Sequence, residues 1–361
     1  RPLASRDGAY PATEALGEIV RRWNPDNVTV PTPFVETLAV FNFSDPEERA
    51  LAEEYRDAEL PFKIFAVPNV ETVRRKWTDP YLVDSMTGHV QFKVEQSRNN
   101  HFMYWQHKAG ASSLYKDWQA PTKIVTGVSF SEWLNWAHAA DAEETGPEVP
   151  HHYLMLGTPP LAALNKRRLG ARGGLNKARS SHFVTNDLEI FTPDQENFFV
   201  TNTAANKGIQ CRFGMRGVIA EAHYDGGRNM VAMLKGAKRY ILAPPSSCSH
   251  LTIIPDRRHP SFRHSTTDWS KPTEADEQLL RARAIDTVVR EGEILYIPSF
   301  WIHYIISLKY SIQCNTRSGA PPNRQGEEEV QRCVGQENMN KRVSEELATR
   351  GGGGRRWGRK G

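Results

Sequence analysis

The sequence predicts a mainly β protein with flanking helices, a sandwich or barrel rather than a helical bundle. Two observations predict it. From Phe198 onward, short apolar runs recur between Gly, Pro and Asn turns with no long helical period between them, the pattern of a closed sheet or of two packed sheets. Within those runs, polar and chemistry-bearing residues recur two apart, which on a strand places them on one face.

The chain has 361 residues, 39% hydrophobic and 24% charged. That is ordinary globular composition, enough for one large domain with additions or for two modest ones. No apolar run approaches the roughly 20 residues that a membrane-spanning helix needs. A net charge of +4 is too weak to argue for nucleic-acid binding over the whole surface. The chain starts at Arg1 rather than methionine, as it would after removal of a leader.

In order, residues 1–57 read as an N-terminal helical extension. Leu16, Ile19 and Val20 set a helix within Ala12 to Trp23, and Pro46 to Ala58 is a charged helix opened by Ser44 or Asp45. Val28 to Val30 and Val35 to Phe43 read as edge strands. Phe62 to Val67, Val90 to Glu95, His101 to Trp105 and His151 to Leu156 read as strands, with a short helix over Val70 to Trp77. Ser129 and Glu132 have capping-box spacing ahead of an apolar helix face made by Phe130, Trp133, Leu134 and Ala137. His151 and His152 are adjacent and point to opposite faces, so they read as ordinary polar residues.

Leu164 to Ser181 is a basic loop, either solvated or a flap that steers a polyanion. Ile254 to Ala284 is a long polar insertion. Residues 320–361 read as a helical segment around Glu327 to Val334, then a Gly- and Arg-rich tail expected to be disordered.

The four cysteines, Cys211, Cys248, Cys314 and Cys333, match no zinc spacing. Either they are inert thiols, or Cys314 and Cys333 form a disulfide that implies an oxidising compartment. The sequons at Asn27 and Asn42 lean toward the secretory lumen; an intracellular location is the alternative.

The chemistry centres on Glu221 to Asn229. Ile219, Glu221, His223 and Asp225 alternate on one strand face, and an imidazole beside a carboxylate supplies two members of a 2-His-1-carboxylate iron site. Lys238, Tyr240 and Leu242 share a face of a later strand, where an inward lysine requires a negative partner. Downstream, Gly292 to His303 runs through a proline-marked bend to a second histidine.

Three phrases now carry a resemblance: His223-Tyr224-Asp225, Lys235 through Pro245, and Gly292 through His303 with Asn315 behind it. Residues 58–319 resemble the JmjC branch of the cupin superfamily, and most closely its small asparaginyl-hydroxylase-like group. The resemblance implies a double-stranded β-helix (cupin or jelly roll). It implies Fe(II) held by His223, Asp225 and His303, with 2-oxoglutarate as cosubstrate and O2 as oxidant. Lys238 matches the lysine that meets the distal carboxylate of 2-oxoglutarate, and Tyr153, Asn229 and Asn315 match positions that hydrogen-bond it. The family often has threonine where this chain has Ala220, and Glu221 is unusual.

The implied activity is hydroxylation of a protein or peptide side chain, coupled to conversion of 2-oxoglutarate to succinate and CO2. Methyl-lysine demethylation and a non-catalytic metal-binding cupin are the alternatives. A nucleic-acid substrate rests only on the basic loop and the Arg/Lys tail.

Overall fold

The computed structural model describes residues 10–88, 90–106, 114–142, 150–160, 183–273, 276–319, 321 and 324–335. The basic segment Leu164 to Ser181 and the tail beyond Gly335 lie outside the described residues. Strands β1 to β7 are Glu14–Ala15, Val40–Asn42, Phe62–Phe65, Phe92–Ser97, His101–Phe102, Lys123–Val125 and His151–Gly157. Strands β8 to β11 are Asn206–Gly214, Ile219–Tyr224, Asn229–Lys235 and Ala237–Ala243. Strands β12 to β15 are Arg283–Arg290, Ile294–Ile297, Ile302–Ser307 and Ser311–Ser318.

These strands form a six-stranded sheet, β1-β12-β11-β14-β9-β5, and a nine-stranded sheet, β2-β3-β13-β10-β15-β8-β7-β4-β6. The chain crosses repeatedly between the two, as the double-stranded β-helix requires. Neighbouring strands are mostly antiparallel, and the exceptions β2–β3 and β5–β9 are short edge pairs. Between the sheets lies an inner apolar cluster that includes Val231, Tyr240, Leu242, Leu295, Ile297 and Ile305. Alternate residues of the same strands face outward into two further cores, one including Trp133, Phe213 and Tyr296, the other Tyr224, Trp269 and Tyr304.

Helix α1 (Leu16–Arg22) buries Leu16, Ile19 and Val20, the predicted stripe, though β1 replaces its expected first turn. Helix α2 (Pro46–Asp57) is capped by Asp45, whose carboxylate accepts from the backbone N–H of Glu47 and Glu48. Helix α3 is Pro68–Lys76 and α4 is Asp79–Ser85. Helix α5 (Phe130–Asp141) has the predicted capping box in full, Ser129 and Glu132 each satisfying the other's backbone. Then follow α6 (Phe183–Asp187), α7 (Glu277–Arg281) and α8 (Gln325–Val334). Two expected strands are shorter than their composition suggests. His101 to Trp105 pairs only over His101–Phe102, and only Val40–Asn42 of the early apolar runs joins a sheet. Within the insertion after Ile253, α7 and the start of β12 interrupt the polar chain.

The cysteine reading is overturned in its pairing. Cys314 bonds Cys211, and Cys248 bonds Cys333. Register decides the first pair, because Cys314 on β15 lies directly opposite Cys211 on β8. Packing decides the second: α8 lies on the 3-10 turn Pro245–His250, which carries Cys248. The C-terminal helix is therefore tied to the core through Cys248 rather than Cys314. Neither pair is a set of inert thiols.

Among the described residues, no helix is long and apolar enough to cross a membrane.

Candidate active site

The site is built where β9 pairs with β14. His303 lies opposite His223, but Ile305 lies opposite Ala220, so β9 spends three residues where β14 spends two. This is a β-bulge, which inserts one residue and re-aims its neighbours. It corrects the simple alternation read from sequence. Ala220 and His223 both line the central cavity, whereas Glu221 turns away into a separate pocket. There its carboxylate meets His101 Nδ1 at 2.5 Å. Glu221 is therefore no acid in the barrel interior, and Ala220 occupies the interior position three residues before the first histidine.

The ligand atoms of His223, Asp225 and His303 all lie within 4.8 Å of one another. Each histidine donates from Nδ1 to a backbone carbonyl, His223 to Glu221 at 2.7 Å and His303 to Trp301 at 3.0 Å. A carbonyl can only accept, so both rings are fixed with Nε2 free. Burial and the neighbouring imidazoles hold His223 well below the ordinary histidine range, and burial lowers His303 as well. Both rings are thus neutral near pH 7, the form that donates a lone pair.

Asp225 is fixed through one oxygen. Arg263 and Arg317 both donate to Oδ1, at 2.9 and 2.6 Å, while Oδ2 lies 3.9 Å from His303 Nε2. Burial alone would raise this carboxyl, but Arg317 and Arg263 hold it well below the usual carboxylate range. Its backbone is pinned too. Phe300, at φ +64, donates its N–H to the Asp225 carbonyl at 2.8 Å, so the bend before β14 is locked to the end of β9.

The cavity has a volume of about 370 Å³. Phe102, Tyr104, Tyr153, Met155, Asn229 and Asn315 are among the residues that wall it. Asn315 Nδ2 donates to Asn229 Oδ1 at 2.8 Å, and the Tyr240 hydroxyl to Gln313 Oε1 at 2.5 Å. Lys238 is fully buried, as the inward reading of β11 requires. Its Nζ donates to the Tyr153 hydroxyl at 3.3 Å and lies 5.1 Å from that ring's centroid. Burial, reinforced by the charge of Arg212, pulls Lys238 down to about 7, and burial pushes Tyr153 up to about 12. The turn that delivers Lys238 depends on Gly236, at φ +76, where a Cβ would meet the Tyr310 carbonyl at 2.2 Å.

The structure thus brings together His223, Asp225 and His303 at one end of the strands, Asn229 and Asn315 beside them, and Lys238 with Tyr153 at the other. His152 lies elsewhere, stacked on Trp136 and bonded to Gln96, and burial lowers it to about 4.

Sequence reasoning missed four residues of the site. Arg317 lies on β15 two residues beyond Asn315, and Arg212 on β8 faces the cavity between apolar Cys211 and Phe213. Each is an inward cation at strand spacing, the same signal that identified Lys238. Arg263 and His264 come from the insertion. Residues 254–265 fold back beside β9, with Ser265 donating to the Ala222 carbonyl at 2.8 Å and Ile254 to the His264 carbonyl at 2.8 Å. The His264 ring then stacks on His223, with centroids 5.0 Å apart. No local pattern marks such a long-range return.

Comparison with known proteins agrees with this architecture. A family model described as "Cupin-like domain" matches residues 49–316. The tRNA wybutosine-synthesizing protein 5 of Danio rerio is 26% identical over 105 residues, 29% of this chain and 30% of that protein. Lysine-specific demethylase JMJ30 of Arabidopsis thaliana is 31% identical over 107 residues, 29% of this chain and 24% of that protein. JmjC domain-containing protein A of Dictyostelium discoideum is 27% identical over 135 residues, 36% of this chain and 50% of that protein. The matched stretches span half or less of these relatives' own lengths. The family match itself covers most of the chain, and the chain belongs to the cupin-like domain family, in its JmjC branch.

Proposed function

We propose that the chain is an Fe(II)- and 2-oxoglutarate-dependent oxygenase that hydroxylates a protein or peptide side chain. The observation that carries this reading is one cavity with three convergent ligand atoms at one end and, behind the Tyr153 that walls it, a buried lysine hydrogen-bonded to that tyrosine's hydroxyl. The donor set fits the metal. Two neutral imidazoles with Nε2 free and one carboxylate oxygen form a facial set open toward the cavity, the donor chemistry of non-heme Fe(II). When bound, iron with 2-oxoglutarate and O2 supplies the oxidising power that places one oxygen atom on a C–H carbon while 2-oxoglutarate becomes succinate and CO2.

The chain's own residues do the rest. His223, His303 and Asp225 Oδ2 would hold the metal, with Arg263 and Arg317 fixing the remaining oxygen of Asp225. Lys238 and the Tyr153 hydroxyl would take the distal carboxylate of the cosubstrate, and Asn229 and Asn315 would offer polar contacts along it. Phe102, Met155 and Ile305 wall the space and exclude water, which strengthens each of these electrostatic contacts.

Anaerobic titration with Fe(II) and 2-oxoglutarate tests the reading. A visible metal-to-ligand charge-transfer band is expected, absent in His223→Ala, and admitting O2 to the loaded protein should then give slow succinate formation without added substrate. No band would refute it. A band without any succinate would favour a non-catalytic cupin.

RNA hydroxylation is a second reading, favoured by relatives named as tRNA wybutosine-synthesizing proteins in Danio rerio and Neurospora crassa. Methyl-lysine demethylation has the Arabidopsis relative behind it. Oxygen addition on peptides, oxygen addition on tRNA nucleosides and formaldehyde release separate the three. The two disulfides support an oxidising compartment, and the exposed Asn27 is the sequon to examine for glycan.

A further inference from the structure

One charge in the cavity has no task in this reading. Arg212 lies on β8 between Met155 of β7 and Gln313 of β15 in register, and all three side chains wall the cavity. Among the described residues, its one side-chain hydrogen bond runs from Nη1 to the Cys211 carbonyl at 3.3 Å, and no carboxylate pairs with it. The other cavity arginines are engaged, since Arg263 and Arg317 both hold Asp225. The remaining cavity acid, Glu95, is paired with Lys93 and accepts from Thr122 at 3.0 Å. Arg212 therefore carries a charge into the cavity with no carboxylate in direct contact among the described residues, Glu95 and Asp225 acting on it only at longer range.

Lys238, buried behind Tyr153, likewise has no carboxylate partner among the described residues, its ammonium donating to the neutral Tyr153 hydroxyl. Lys238 feels the other cation, because the charge of Arg212 adds to burial in disfavouring protonated Lys238. Two repelling cations in a buried space are costly unless an anion comes between them.

Register places Arg212 nearer the lysine than Arg317 is, within electrostatic reach of both ends of the cavity. Its neighbour Gln313 accepts from Tyr240, two residues from Lys238 on β11. Along β15 the metal end is marked instead by Arg317, four residues on, which reaches Asp225. A guanidinium presents parallel N–H donors that match a carboxylate with both oxygens, which a lysine ammonium cannot do.

We propose that Arg212 is a second anchor for the distal carboxylate of the cosubstrate, closing on it from β8 while Lys238 meets it from β11. The proposal rests on the cosubstrate reading above and extends it: selection of a dicarboxylate over a monocarboxylate 2-oxo acid is a property of this pair of cations. Arg212 is a binding residue here, not a structural one, and the two roles separate by ligand.

The test uses the full chain loaded with Mn(II) and two probes read by calorimetry. One is 2-oxoglutarate; the other is 2-oxobutyrate, which keeps the 2-oxo acid head and lacks the distal carboxylate. The wild-type protein is expected to prefer 2-oxoglutarate strongly. In Arg212→Leu and Arg212→Gln, affinity for 2-oxoglutarate should fall by about tenfold to hundredfold, the range for losing charge-assisted hydrogen bonds. Affinity for 2-oxobutyrate should stay within about twofold, which also shows that each variant is folded, and Arg212→Lys should recover part of the loss. Equal losses for both probes, or an unchanged 2-oxoglutarate affinity in both variants, would overturn the proposal and leave the cosubstrate reading standing. Failure of the wild-type protein to bind 2-oxoglutarate at all would overturn both.

Discussion

Raising the pH should weaken cosubstrate binding through Lys238 alone. Burial and Arg212 bring this lysine down to about 7 in the empty cavity, and a carboxylate against Nζ would return it toward its ordinary range near 10.4. The protonated form is the one that binds. Affinity is therefore complete below pH 7 and falls as pH rises through the empty-site value, by about tenfold per unit. Between pH 6 and 9 the loss should reach roughly a hundredfold, or about 2.7 kcal/mol at 1.36 kcal/mol per unit. The groups that face Lys238 do not blur the window. Burial raises Tyr153 to about 12 and holds Tyr240 well above the ordinary tyrosine range, and Arg212 stays cationic. Calorimetric titration with 2-oxoglutarate in two buffers of different ionisation enthalpy measures both the affinity and the proton taken up. Lys238→Arg, which keeps its proton throughout, should flatten the profile. A wild-type profile already flat from pH 6 to 9, or one that Lys238→Arg leaves unchanged, would refute the reasoning.

Three other perturbations have clear directions. Arg239 and Asp286 form a buried pair with both carboxylate oxygens engaged, at 2.8 and 2.9 Å, and Arg239 also bonds the Trp23 carbonyl; Asp286→Ala leaves a buried guanidinium unpaired and should cost about 3–5 kcal/mol in urea unfolding. Cys248→Ser with Cys333→Ser opens a link across 85 residues, and chain entropy gives a loss of up to about 4.5 kcal/mol, read from denaturation midpoints with and without reductant. Ala220→Thr places a hydroxyl on the cavity wall beside His223, and one added hydrogen bond of about 0.5–1.5 kcal/mol should tighten 2-oxoglutarate binding by roughly twofold to tenfold in the same calorimetric assay.

Much of the barrel was legible because its strands obey local rules. Lys238, Tyr240 and Leu242 alternate without interruption along β11, so a single inward lysine was enough to reveal the face. The capping box at Ser129 and the cap at Asp45 are equally local, each satisfied within a few residues of chain. The disulfides were not legible, because connectivity is a matter of register. Cys211 and Cys314 are 103 residues apart and meet only because β8 and β15 align opposite each other. Composition could suggest an oxidised pair but not its partner.

The bulge in β9 shows where strand alternation fails as a guide and what is gained by the failure. A regular strand would have put Glu221 beside His223 in the cavity and turned Ala220 outward. A second carboxylate next to the ligand set would compete with Asp225 for the metal and oppose the approach of a dicarboxylate. The extra residue sends Glu221 to His101 instead and leaves a small, neutral side chain next to His223. The carbonyl of Glu221, freed from the regular ladder, is the group that fixes His223 Nδ1. One inserted residue thus removes an unwanted charge, orients a ligand and opens space for the cosubstrate. A strand read with period two cannot show any of these, because each follows from the residue that breaks the period.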